Sequence, residues 1–313
     1  MPFPHSVGGS PYARIVNSFP QSAPLALFDL EPAEVLPHGR HALNDRPAVP
    51  LHAGSAPDAR GTVAASGPPS TSHSATALLA PPLPDWPAWA HRLAVFDLET
   101  TGIDVETSRV VTANVSIIDH TGNVESRIDW MANPGVPIPA GAAAIHGVST
   151  ERAVAEGRPA ADVVAEIVDA LTAALDQGLS LVIYNAPYDL TLLDREARRH
   201  GITPLREPLP VVDPLVIDKA LDRYRKGKRT LEATASFYEV ELLDAHDAGA
   251  DAIAAGRVAQ SLASRYAVEL EMSQHQLHHS QAGWFAEQAT SFQDYMRRTK
   301  DPDFTARTAW PLG

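Results

Sequence analysis

Leu93-Ala94-Val95-Phe96-Asp97-Leu98-Glu99 is a short apolar run that finishes in alternating acidic positions, and it reads as a core strand. Successive strand side chains leave opposite faces, so Asp97 and Glu99 share a face while Leu98 points away. Two carboxylates at the end of an apolar strand are costly, because each loses water and each repels the other. A divalent cation between them removes both costs. An exposed strand end, with both acids solvated, removes them equally well, and the pair alone does not choose.

Working outward, Thr100-Thr101-Gly102 turns the chain, and Arg109 to Asp119 reads as a second strand. Asn123 to Met131 reads as a third, joined to the second by a short Gly-containing link that predicts an antiparallel hairpin. Val163, Ile167, Leu171 and Leu175 recur at four-residue spacing and predict a helix over 160–176, stopped by Gly178. Leu179 to Tyr184 is a buried strand, followed by a helix that Gly201 ends. Pro210 to Asp213 is a brief strand, Thr230 to Phe237 a short helix, and a long helix runs from His246 towards Glu269. This order predicts an α/β fold with a mixed sheet flanked by helices. No Gly-rich loop follows the first strand, so a dinucleotide-binding unit is excluded.

Composition divides the chain. The first 90 residues hold 16 of the 27 prolines and no lysine, a composition that predicts a disordered arm over 1–89. Residues 90–270 are expected to form the folded domain, and 271–313 a helical extension and tail that either docks a partner or packs on the domain. Net charge is −13, which argues against non-specific coating of duplex nucleic acid and suits carboxylates that gather cations. The absence of cysteine excludes disulfides, thiolate nucleophiles and Cys-ligated metal sites. Met1-Pro2-Phe3-Pro4-His5 lacks the features of a signal peptide, and no run is long enough to span a bilayer. No membrane association and a cytoplasmic location are expected.

Further acids fall where strands deliver them. Asp189, in Asn185-Ala186-Pro187-Tyr188-Asp189, opens a helix just beyond a strand, where α/β ligand sites form. On its own it also reads as an acid on the helix macrodipole. His246 and Asp251 sit near the start of the long helix. Five helical positions separate them by about 140°, so the imidazole is expected at the mouth of a site with the carboxylate deeper. Each alone reads equally as a capping or solvated group. Asp213, ending a strand, reads as a structural acceptor. The five basic residues between Arg223 and Arg229 read either as a phosphate-steering patch or as a solvated loop.

Taken together, Phe96-Asp97-Leu98-Glu99-Thr100-Thr101-Gly102, Tyr184 to Asp189 and His246 to Asp251 resemble the three motifs of the DEDDh group of 3′–5′ exonucleases, the family of the proofreading subunit of bacterial DNA polymerase III. The resemblance covers roughly 90–265. It implies a ribonuclease-H-like sheet and two divalent cations, Mg²⁺ or Mn²⁺. Asp97, Glu99 and Asp251 would hold the ion that activates water, and Asp97 with Asp189 would reach the second. His246 would be the general base, since imidazoles titrate near neutral pH. Leu98, Thr100, His146 (in the link Ile145-His146-Gly147) and Asn185 would meet the terminal nucleotide. Tyr188 stands where the family commonly has Phe.

The expected activity is release of nucleoside monophosphates from single-stranded or frayed DNA 3′ ends, in proofreading or repair. Trimming of RNA 3′ ends is the alternative, and a non-catalytic binding module a third. Leu25-Ala26-Leu27-Phe28 resembles the short peptide by which bacterial replication proteins bind the sliding clamp, though no Gln directly precedes it. It makes a sliding clamp or replicative polymerase the candidate partner.

Overall fold

In the computed structural model, residues 83–313 are described, apart from 207, 243 and 244. The Pro-rich arm and its Leu25–Phe28 peptide lie outside the described residues. After a 3₁₀ turn (Ala88–Ala90), the chain forms β1 (Leu93–Thr100), β2 (Val110–Ile118) and β3 (Val124–Asn133). Next come α1 (Ala140–His146), α2 (Thr150–Glu156), β4 (Arg158–Pro159), α3 (Ala160–Asp176), β5 (Ser180–Val182), α4 (Ala186–Arg199) and β6 (Val211–Val212). It closes with α5 (Pro214–Leu221), α6 (Leu231–Phe237), α7 (Ala248–Arg265) and α8 (Gln274–Thr299).

The strands form one mixed sheet in the order β4-β3-β2-β1-β5-β6. β1 pairs antiparallel with β2 and parallel with β5, and β2 and β3 form the expected antiparallel hairpin. This is the mixed sheet flanked by helices that the order of elements predicted. Alternation along β1 assigns its side chains to two layers. Ala94, Phe96 and Leu98 enter a cluster with Val163, Ile167 and Leu171 of α3 and Leu190 and Leu193 of α4. Leu93 and Val95 enter a second cluster, with Ala252, Ala255, Val258 and Ala259 of α7.

Four elements escaped the sequence reading. α1 and α2 have seven residues each, α5 eight and β4 two, lengths over which periodicity shows little, although α6 and β6, equally short, were read. The link holding Ile145-His146-Gly147 is thus helical: His146 is the last residue of α1 and Gly147 caps it in the left-handed region at φ 73°. The basic link is also corrected. Arg225 and Arg229 both turn inward to Asp218, whose side chain is fully buried and which also accepts from the Tyr238 hydroxyl. Only Arg223, Lys226 and Lys228 of the five are exposed.

The C-terminal helix packs on the domain. The fully buried Gln281 amide donates to the Val211 carbonyl and accepts from the Asp213 N–H. His278 Nδ1 accepts from the Val211 N–H, so α8 side chains satisfy the free edge of β6. Among the described residues no helix is long and apolar enough to cross a membrane.

α7 lies close on the sheet because Ala252, Ala255, Gly256 and Ala259 face it. A Cβ built on Gly256 would stand 2.5 Å from Val95 Cγ1 and 2.6 Å from Ile118 Cδ1. Gly256→Ala should therefore push α7 off β1 and cost about 1–3 kcal/mol by overpacking. Urea denaturation checks this; unchanged stability would mean that α7 is not seated so tightly.

Candidate active site

The acids meet where three elements end. Asp97 and Glu99 continue the α7-facing side of β1 beyond Val95, and a register shift follows Glu99, an irregularity that re-aims strand ends beside functional sites. The parallel neighbour β5 runs out through Asn185, which takes a left-handed φ of 63° and turns the chain into α4. Asp189 lies in the first turn of α4, 3% exposed, and its Oδ1 accepts from the Leu98 N–H at 3.2 Å.

The third contribution departs from the sequence expectation. α7 starts at Ala248, not His246, because Asp247 is the N-cap and accepts from the Ala250 N–H. His246 precedes the helix with φ 72°, so the helical angle drawn between it and Asp251 does not apply. The two are linked instead by a bond from the His246 N–H to Asp251 Oδ2, 3.2 Å long. The result is nonetheless convergence: Glu99, His246 and Asp251 offer ligand atoms within 4.8 Å of one another. His246 keeps about a third of its side chain exposed and has Glu232 at 3.9 Å.

Asp97 and Asp189 stand outside that set of three but within its electrostatic reach. Burial pushes the Asp97 carboxyl well above the usual range, and repulsion from Asp189, Glu99, Asp251 and Asp247 pushes it further. Burial raises Glu99 to about 8, with Asp251, Asp189 and Asp247 adding to it. Asp189 is also raised by burial, against its hydrogen bonds from backbone N–H groups. Asp251 is raised to about 6 by burial, tempered by its bond and attraction to His246. Asp251 Oδ1 is buried with no hydrogen-bond partner among the described residues.

Crowded carboxylates with an unpaired buried oxygen fit hard divalent cations, which take oxygen donors. Asp97, Glu99, Asp189 and Asp251 are the residues that could hold them, and a cation would offset the repulsion that the fold imposes.

The remaining expected residues are placed unequally. Alternation turns the Leu98 side chain into the core at 5% exposure, so what Leu98 gives the site is its N–H to Asp189. Thr100 Oγ1 lies 2.7 Å from the Tyr188 hydroxyl, and both groups donate to the Gly102 carbonyl. Tyr in place of Phe at 188 thus fastens the turn after β1. Asn185 uses its N–H on Asp213 Oδ1. His146 is half-buried; burial lowers its pKa, and the nearby His246 adds to this.

Sequence reasoning missed a supporting chain. Asn114, opposite Asp97 on β2, donates to Asp129 Oδ1, and Arg127 spans Asp129 Oδ2 and Asp247. Arg127 fits because Gly249 leaves it room; a Cβ there would stand 2.2 Å from its Nη2. Asn114 meets Asp129 only through cross-strand register, and Arg127 meets Asp247 only because α7 packs there, so spacing along the chain carried no sign of these links.

A family model described as "Exonuclease" matches residues 94–259, more than half of the chain. The chain is 30% identical over 165 residues to a PolC-type DNA polymerase III of Streptococcus sanguinis, covering 52% of this chain and 10% of that protein. It is 30% identical over 169 residues to that of Lacticaseibacillus paracasei, covering 54% and 11%. The chain therefore spans about a tenth of the length of the curated relatives it matches. Among solved structures, E. coli Exonuclease I in complex with a dA16 oligonucleotide superposes with a TM-score of 0.48 at 20% identity, over 56% of this chain and 41% of that one.

The raised carboxyls set a pH dependence. A folded-state pKa above the unfolded value means the folded protein binds protons more tightly, so stability is lost as pH rises through the folded pKa. With Asp251 at about 6 and Glu99 at about 8, the metal-free Tm should fall between about pH 5 and about pH 8. Added Mg²⁺ or Mn²⁺ should raise Tm most at the alkaline end, because protons no longer compete. Asp97→Asn should raise the metal-free Tm there and shrink the metal-induced gain. Thermal melts across pH check all three; a cation gain independent of pH would contradict a proton-competing cluster.

Proposed function

As a member of the exonuclease family matched over residues 94–259, this chain, we propose, hydrolyses phosphodiester bonds one at a time from the 3′ end of single-stranded or frayed DNA, releasing nucleoside monophosphates. What supports this reading is the set of ligand atoms from Glu99, His246 and Asp251 within 4.8 Å of one another, with Asp97 and Asp189 in repulsive reach of Glu99 and one Asp251 oxygen buried and unpaired. Two divalent cations, Mg²⁺ or Mn²⁺, would supply Lewis acidity and charge neutralisation at the scissile phosphate.

The protein's own groups do the rest. Asp97 stands centrally, in repulsive reach of the other three acids, and would contribute to both cation positions, with Glu99 and Asp251 on one side and Asp189 on the other. His246 is the general base: it sits at the rim, part exposed, beside Glu99 and Asp251, where an imidazole can take the proton of the attacking water and pass it to solvent. Thr100, Asn185 and His146 edge the site and would position the terminal nucleotide, while Leu98 acts through Asp189. DNA is preferred to RNA as substrate because the relatives at 30% identity are DNA polymerases. Their name also makes a replicative polymerase the partner to test first.

Digestion of oligonucleotides labelled at either end, single- and double-stranded, with each metal, is the direct test. We expect mononucleotides from the 3′ end, dependent on Mg²⁺ or Mn²⁺ and abolished in Asp97→Ala. Activity persisting in that variant would refute the assignment, and faster turnover of a matched RNA would overturn the DNA preference. His246→Ala should lose about 10²–10⁴-fold in rate while calorimetry shows divalent-ion binding largely retained; an unaltered pH–rate profile would remove His246 as base.

A further inference from the structure

We propose that Met272, His275 and His279 form a second cation site, for an imidazole-preferring d-block ion such as Cu²⁺ or Zn²⁺, on the first turns of α8. His275 and His279 are four residues apart on one helix, so their side chains project from the same face one turn apart. This is the spacing at which two helical imidazoles share a metal ion. Both are exposed, and with Met272, Gln276 and Ser280 they line a single cavity.

The His279 ring is also prepared for it. His279 Nδ1 lies 2.6 Å from the His275 carbonyl oxygen. A carbonyl accepts only, so Nδ1 donates to it, which leaves Nε2 as the ring nitrogen that a metal ion would take. A backbone carbonyl on the far nitrogen is the usual support behind a metal-bound imidazole. The first turn is pinned as well, by the reciprocal capping of Ser273 and Gln276, which holds Met272 just outside the helix. The Met272 thioether, approached by the Ser280 hydroxyl at 3.9 Å, adds a soft donor of the kind that copper accepts and magnesium does not. His278 is no ligand: it is buried, accepts from the Val211 N–H, and is pushed down to about 4 by burial and then by its His279 and His275 neighbours.

The donor set separates this site from the carboxylate cluster, which draws its oxygens from β1, α4 and α7. Cu²⁺ titration of the full chain, followed by electron paramagnetic resonance with Mg²⁺ in excess, tests it against a His275→Ala/His279→Ala variant. The parent should bind one more Cu²⁺ than the variant, with hyperfine structure from two imidazole nitrogens, and Met272→Leu should keep those nitrogens at weaker affinity. Mg²⁺-dependent activity should be the same in parent and double variant, which reports an intact fold. Equal stoichiometry and identical nitrogen couplings in parent and double variant would overturn the proposal.

Discussion

Four carboxylates are forced together at one end of a sheet, and the surrounding structure keeps them from relaxing apart. The pleat of β1 places Asp97 and Glu99 on one face, and the apolar residues before them anchor that face against α7. The parallel pairing of β1 with β5 brings the start of α4 alongside, so Asp189 arrives buried and tied to the Leu98 N–H. α7 presses close enough, through its alanines and Gly256, to deliver Asp251. In water the four would separate. Held by cores on both sides of the sheet, they instead raise one another's proton affinity, and that stored repulsion is what a cation can relieve.

Two polar supports, one buried and one at the surface, hold the geometry from behind. Asp213, fully buried, accepts from the Asn185, Ala186 and Leu215 N–H groups and from the Trp310 indole. It thereby fixes the left-handed turn that aims α4, and its own N–H is held by Gln281. On the opposite side, Arg127 ties β3 to the Asp247 cap of α7. Neither support touches the acids as a ligand, yet each decides where an acid-bearing helix begins.

Much of this was legible in sequence. β1, the β2–β3 hairpin, α3 and the pairing of Asp97 with Glu99 follow from period and spacing, since apolar periodicity reports burial directly. Short elements were unevenly legible, because a seven-residue helix makes fewer than two full turns of pattern: α6 and β6 were read, whereas α1, α2, α5 and β4 were not. Nor was the start of α7: the sequence around His246 continues the helical spacing, and only a left-handed residue followed by an Asx cap shows where the helix begins. The inward turn of Arg225 and Arg229 was hidden for another reason. A run of basic residues has the same appearance whether solvated or folded onto a buried acid such as Asp218, and the acid lies on a different element.

The sealing of β6 by α8 alters how the chain can be shortened. A fragment ending near residue 270 would shed Gln281, His278 and Trp310 together, baring a strand edge with open amide and carbonyl groups and leaving Asp213 short of partners. Such an edge recruits strands from other copies, so aggregation would accompany the loss of order at the Asn185 turn. The C-terminal segment is thus inseparable from the acid-bearing half: removing what looks like an appendage would loosen the helix that carries Asp189.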